Sequence, residues 1–224
     1  MVIVIKLGSN VLHSETGIDE NVVKNVVDNV CKYMKLGHKF IIVSSGAVAQ
    51  GKKYLKINSK TKLKDTELEQ VYASIGQVQL INTYQKYFDK YKIRIAQALL
   101  TRKDFSDREG YSSMKAVFEH LINEGIVPVV NENDVVCPDE LDFSDNDQLS
   151  AYVAAMINAD KLIILSNVDG LYNKHPDEGG ELVKNICIIN STVKSYVSDK
   201  KSTYGRGGMS SKLQTAKFMQ DLIY

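Results

Sequence analysis

This chain has few residues with which to staple, break or anchor itself. Its three cysteines, Cys31, Cys137 and Cys187, are odd in number and far apart, with no CxxC pair and no Cys/His cluster. That pattern excludes a disulfide framework and a paired-cysteine zinc site, and it fits a reducing compartment. Three prolines are too few for a Pro-rich linker between domains. No apolar run approaches the ~20 residues of a membrane helix. The apolar stretch before Lys6 has only four residues, too short for a signal peptide. A soluble, cytoplasmic protein is the expectation. Charge of one sign is also missing: 28 Lys and Arg against 27 Asp and Glu leave a net +1. This argues against a general nucleic-acid or membrane-surface binder. None of the four histidines, His13, His38, His120 and His175, pairs at metal-ligand spacing, so packing roles are expected for them. Ser45-Gly46-Ala47 lacks the G-x-S-x-G elbow of a serine hydrolase.

What is present suffices for one α/β domain. The chain has 224 residues, 44% hydrophobic and 25% charged. Short apolar runs alternate with longer amphipathic stretches, the pattern of a mainly parallel sheet covered by helices. Strands are expected at Val2–Ile5, Phe40–Val43, Ile93–Leu100, Ile126–Val130 and Leu162–Leu165, with a weaker sixth at Ile186–Ile189. Their near-continuous apolarity suits strands buried on both faces. Val22, Val23, Val26, Val27, Val30 and Met34 recur at helical spacing between an N-cap at Asp19 and Gly37. Further helices are expected at about Thr66 to Tyr91, at Ser112–Asn123, at Gln148–Asn158 and at Met209–Asp221. Lys52, Lys53, Lys56, Lys60, Lys62 and Lys64 form the one charge-biased segment, read as a solvated loop and helix end or as a lid over an anionic substrate.

Four segments carry chemistry. Lys6-Leu7-Gly8-Ser9-Asn10 leaves the first strand with a point charge followed by a glycine that lets backbone N–H groups approach an anion. It could equally be a tight strand-end turn. Gly205-Arg206-Gly207-Gly208-Met209-Ser210-Ser211-Lys212 feeds a helix N-terminus, a ready anion cradle or else a plain loop. It is not a Walker A loop, since no Gly precedes Lys212. Asn131-Glu132-Asn133-Asp134 follows a strand, where open α/β sheets bind ligands, though Asn and Asp also favour surface turns. In Phe143-Ser144-Asp145-Asn146-Asp147-Gln148 one Asp is needed merely as a helix cap. The Gly and Glu of a calcium loop are missing there.

Taken in order, VIKLGSNVL, IIVSSGAVAQG, LLTRKDFSDREGY, IVPVVNENDVV, FSDNDQLSAYVA, LIILSNVDGLY and GRGGMSSKLQTAKF resemble the amino-acid kinase family, and within it the glutamate 5-kinase branch. The resemblance implies a three-layer αβα sandwich on a mainly parallel sheet, of the carbamate kinase-like kind. It implies ATP-dependent phosphorylation of the side-chain carboxylate of L-glutamate to L-glutamyl 5-phosphate, the first step of proline biosynthesis. Lys6 and Lys212 match the family's catalytic lysines, and Asp147 the aspartate that orients them. Ser45, Asp134 and Asn146 match glutamate-contacting positions. The nucleotide would meet Lys6, Gly8, Ser166, Asn167, Arg206, Gly207, Gly208, Met209, Ser210, Ser211 and Lys212. Mg²⁺ would arrive on ATP, with no protein ligand assigned. Proline is the expected feedback inhibitor and a homo-oligomer the expected assembly, with no nucleic acid and no membrane. The resemblance further implies that residues 1–224 form the kinase domain without its last strand and helix, and without the PUA domain that many members add. Arg206 stands where the family has a small residue such as Thr, and Asn167 where Asp is commoner. Neighbouring readings are an acetylglutamate or aspartate kinase, the kinase half of a pyrroline-carboxylate synthase, and a non-catalytic glutamate or proline sensor.

Overall fold

Alternation inside the apolar runs decides which side chain faces which layer. The computed structural model describes residues 1–14, 17–55, 63–136, 146–174, 176–197 and 208–223. In chain order the elements are β1 (Val2–Leu7), α1 (Ser9–Leu12), β2 (His13–Ser14), β3 (Gly17–Ile18), α2 (Glu20–Met34), β4 (Lys39–Ser44), α3 (Ala47–Tyr54) and α4 (Asp65–Phe88). They continue with β5 (Ile95–Leu100), α5 (Arg108–Asn123), β6 (Val127–Glu132), α6 (Asn146–Met156), β7 (Lys161–Leu165), α7 (Ser191–Ser195) and α8 (Met209–Ile223).

Five strands form one sheet in the order β5-β6-β4-β1-β7, and every neighbouring pair in it is parallel. Residues two apart on a strand share a face. Ile3 and Leu7, Phe40 and Ile42, and Val127 and Val129 pack against Val23, Val27 and Val30 of α2 and Leu80, Tyr84 and Phe88 of α4. Val4, Ile41, Val43 and Val130 turn the other way, onto Phe118 and Ile122 of α5 and Leu149, Val153 and Met156 of α6. The result is the expected αβα sandwich. Burying each such side chain contributes about 1.5–3 kcal/mol.

The helices begin and cross for local reasons. Asp19 caps α2 by accepting the Asn21 N–H at 2.8 Å. Asp107 caps α5 by accepting from Gly110 N–H at 2.7 Å. α3, which periodicity alone did not suggest, starts where Gly46 takes φ +109° and turns the chain out of β4. It then lies hard against α4: a Cβ on Gly76 would sit 1.7 Å from the Ala47 carbonyl oxygen, and one on Gly51 1.9 Å from that of Tyr72. Only glycine permits that approach.

Two expectations change. The long helix ends at Phe88, and Asp89–Tyr91 tighten into a 3₁₀ turn. Ile186–Ile189 is not a strand. Its backbone is served instead by a side chain of α8, since Gln220 accepts the Ile189 N–H at 3.0 Å and donates to the Cys187 carbonyl at 2.7 Å. Among the described residues no helix is long and apolar enough to cross a membrane.

Candidate active site

The described residues of the four chemistry-bearing segments gather at the carboxyl edge of the sheet, where an open α/β fold binds its ligands. β1 runs two residues further than expected and includes Lys6. Lys6 lies two residues beyond Val4, so it shares the face that packs on α6. There its Nζ meets Asp147 Oδ1 at 2.5 Å. The other carboxylate oxygen, Oδ2, receives Lys212 Nζ at 3.0 Å from the first turn of α8. Asp147 is fully buried, the Lys6 side chain is 5% exposed and that of Lys212 21%. Two ammonium groups against one carboxylate leave a net positive charge, and Lys212 is its accessible end. Gly8 keeps the arrangement open, since a Cβ there would lie 2.8 Å from Lys6 Nζ.

A cleft of about 570 Å³ opens above this triad. Lys6, Gly8, Ser45, Asp134, Asn146, Ser166, Asn167, Gly208, Met209 and Lys212 all line it. Asp147 lies beneath the floor. Ser211 faces a separate cavity of about 60 Å³ with Gln148, Thr215 and Phe218, and Ser210 lines neither. Arg206 and Gly207 fall outside the described residues, as do Asp145 and, within the lysine-rich segment, Lys56, Lys60 and Lys62.

Hydroxyls and amides also build the cleft. Asn131 and Glu132 are the last residues of β6, buried rather than in a surface turn. Asn146 opens α6, and its Nδ2 lies 2.8 Å from Ser45 Oγ, 3.0 Å from Asn131 Oδ1 and 3.4 Å from the Ser44 carbonyl. Asn131 Nδ2 donates in turn to Gln77 Oε1 of α4 at 2.9 Å. Below them Tyr84 donates its hydroxyl to Ser44 Oγ at 2.9 Å. Burial pushes the Tyr84 phenol well above its ordinary range, so it stays a neutral donor.

Sequence reasoning missed several cleft residues. Val48 and Glu69 also line it, beside Asn10 at the end of the segment that begins at Lys6, and Gln77 supports it from behind; a polar residue on a helix carries no signal that it faces a ligand. Lys52 lines the cleft as well, the part of the lysine-rich segment that fits the reading of a cover over an anion.

The model of the amino acid kinase family matches residues 1–221. The chain is similar to the glutamate 5-kinase of Bacteroides thetaiotaomicron, 37% identical over 98% of this chain and 61% of that protein. It is also similar to that of Chlorobaculum tepidum, 40% identical over 96% of this chain and 59% of that protein. The glutamate 5-kinase of Alkaliphilus metalliredigens is 36% identical, over 98% of this chain and 83% of that protein. The chain thus spans about three-fifths of the length of most of these relatives.

Proposed function

The chain belongs to the amino acid kinase family, and on that premise we propose that it transfers the γ-phosphoryl group of ATP to the side-chain carboxylate of L-glutamate. The product is L-glutamyl 5-phosphate, the compound that starts proline biosynthesis. One observation carries the reading: the buried Asp147 carboxylate holds two lysine ammonium groups, Lys6 and Lys212, that both line one cleft. The same cleft offers a hydroxyl, amides and a carboxylate, a set suited to an amino acid.

The chemistry asks little of the protein in proton transfer. A glutamate carboxylate is ionised at pH 7, so its oxygen lone pair forms the new O–P bond without a general base. The bond from the γ-phosphorus to the bridging oxygen breaks, and ADP leaves. The difficulty is to bring an anion up to a polyanion and to stabilise charge on the transferring group, which is a matter of positioning and electrostatics. Lys6 and Lys212 would supply that charge, and Asp147 would keep them apart and aimed. The N-terminus of α8 with Gly208 would receive phosphate oxygens, and Ser166 and Asn167, beyond β7, would meet the nucleotide. Each oxygen of Asp147 already carries an ammonium group, so it is not offered to a metal. Mg²⁺ would arrive on the nucleotide and there would neutralise phosphate charge.

Glutamate would lie across the cleft. Its α-carboxylate would meet the N-terminus of α3 and Ser45, and its α-ammonium would meet Asp134 and Asn146. The test is ADP release with L-glutamate, N-acetylglutamate and L-aspartate as acceptors. Turnover with free glutamate alone is expected; a preference for the acetylated or the shorter acid would overturn the reading. Proline shares the cationic nitrogen and α-carboxylate, so it should compete at Asp134 and Asn146. An apparent glutamate KM unmoved by saturating proline would refute that competition.

A further inference from the structure

We infer that Gln77 is a positioning residue for amino-acid recognition: acting through Asn131, it fixes the Asn146 amide with its oxygen left to accept from the substrate's α-ammonium group. The inference rests on the reading that the cleft takes a free amino acid. It goes beyond it in naming a residue outside the cleft that sets the recognition.

A side-chain amide has one acceptor end and one donor end, so a chain of amides transmits orientation. Gln77 Oε1 takes a hydrogen from Asn131 Nδ2 at 2.9 Å. That leaves Asn131 presenting Oδ1 to Asn146, whose Nδ2 donates to it at 3.0 Å. The second hydrogen of Asn146 Nδ2 goes to Ser45 Oγ at 2.8 Å. Both donors of Asn146 are then spent on the protein. Its Oδ1 is buried, and among the described residues no group donates to it. A buried acceptor without a donor is uncommon in a folded protein, and on a cleft-lining residue it calls for a hydrogen-bond donor, the part that the substrate's ammonium group would play.

Reversal of the relay would reverse the recognition. With Asn131 turned round, its NH₂ would face the NH₂ of Asn146, and Asn146 would have to flip. Its donors would then lie where the ammonium binds, donor against donor. Gln77 and Asn131 are 8% and 3% exposed, so water does not readily take over either bond. Gln77 is also held rigidly, because the preceding residue, Gly76, is the one pressed onto the Ala47 carbonyl of α3.

The experiment uses L-glutamate and glutarate, which carry the same two carboxylates and differ in the amine. Calorimetric titration of each into wild type, Gln77→Met and Gln77→Glu reads the preference for the amine. Gln77→Met keeps the length of the side chain without its acceptor, and should lower the glutamate-over-glutarate preference about tenfold, the worth of one hydrogen bond to a charged group. Gln77→Glu retains an acceptor oxygen toward Asn131 and should keep the preference within about threefold, an expectation that stands even where Gln77→Met fails to fold. A merely structural role would weaken both ligands together. Full preference in Gln77→Met, or its loss in Gln77→Glu, overturns the inference while leaving the proposed function standing. A wild-type protein that does not distinguish glutamate from glutarate overturns the amino-acid reading itself, and this inference with it.

Discussion

Asp147→Asn keeps the shape of the carboxylate and removes its charge, and the burial of the two lysines divides the consequences. The Lys6 side chain is 5% exposed, so its ammonium cannot regain hydration once its counter-charge is gone. Lys212, at 21%, recovers part of it. Breaking a buried pair from one side costs about 3–5 kcal/mol, and here Lys6 bears most of that cost. For a domain of this size the loss corresponds to a fall of roughly 6–20 °C in Tm. Catalysis falls too, by about 10²–10³ in kcat, the effect of losing one preorganised stabiliser of transition-state charge. Lys212→Ala separates the two losses. The buried Lys6–Asp147 pair survives, so stability should change by only about 1 kcal/mol, while kcat drops by a comparable ~10²–10³. Thermal unfolding by circular dichroism and an ADP-coupled assay on the same samples measure both. Near-normal kcat in Lys212→Ala, or wild-type Tm and kcat in Asp147→Asn, would refute the reasoning from the triad.

Three other perturbations test separate parts of the molecule. Asp134 is half-buried at the cleft, so Asp134→Asn should weaken glutamate binding by about 2 kcal/mol, the low end for a truncated charged pair; calorimetry should find ATP binding unchanged, and equal weakening of both ligands would mean a collapsed site. Gly76→Ala should destabilise by at least about 3 kcal/mol, because its Cβ meets backbone rather than a movable side chain; a urea midpoint equal to wild type would contradict the α3–α4 contact. Glu20 joins α2 to α4 by accepting from Lys86 at 2.6 Å and from Tyr87 at 2.8 Å, and the Lys86 bond leads in lowering its pKa from the usual 4.5. Its stabilisation is therefore present above pH 4.5 and lost as pH falls through the lowered value; being exposed it is worth only about 0–1 kcal/mol. Glu20→Gln should narrow the gap in urea midpoint between pH 7 and pH 3, and an unchanged gap would sink the pairing.

How far the fold was readable follows from which forces act along the chain and which act across it. β1, β4 and β6 were legible because strands buried on both faces need near-continuous apolar runs; β5 and β7, at the two ends of the described sheet, are apolar but not buried on both faces, with Leu99 and Ile163 exposed; and α2 was legible because its valines keep helical spacing against their own low propensity. α3 was not legible. Its sequence, AVAQGKKY, has a glycine where a helix former belongs, and that glycine is present for α4, which is distant in sequence. Ile186–Ile189 erred the other way: apolar and short, it looks like a strand, but among the described residues no strand pairs with it and Gln220 takes its backbone groups.

The site divides along the same line. Lys6, Asp147 and Lys212 each stand where a strand ends or a helix begins, positions that motifs mark, and the period of two along β1 then turns Lys6 toward α6. Their convergence on a single buried carboxylate is a product of the three-layer packing, since Asp147 and Lys212 lie 65 residues apart. Gln77 is the opposite case. Its neighbours in sequence describe only a helix, and its bearing on the cleft exists through an amide chain crossing from α4 to β6 to α6. Motif reading finds groups that touch a ligand, because their chemistry is constrained locally. The groups that orient them are constrained by the tertiary hydrogen-bond network, and only three-dimensional structure brings those into view.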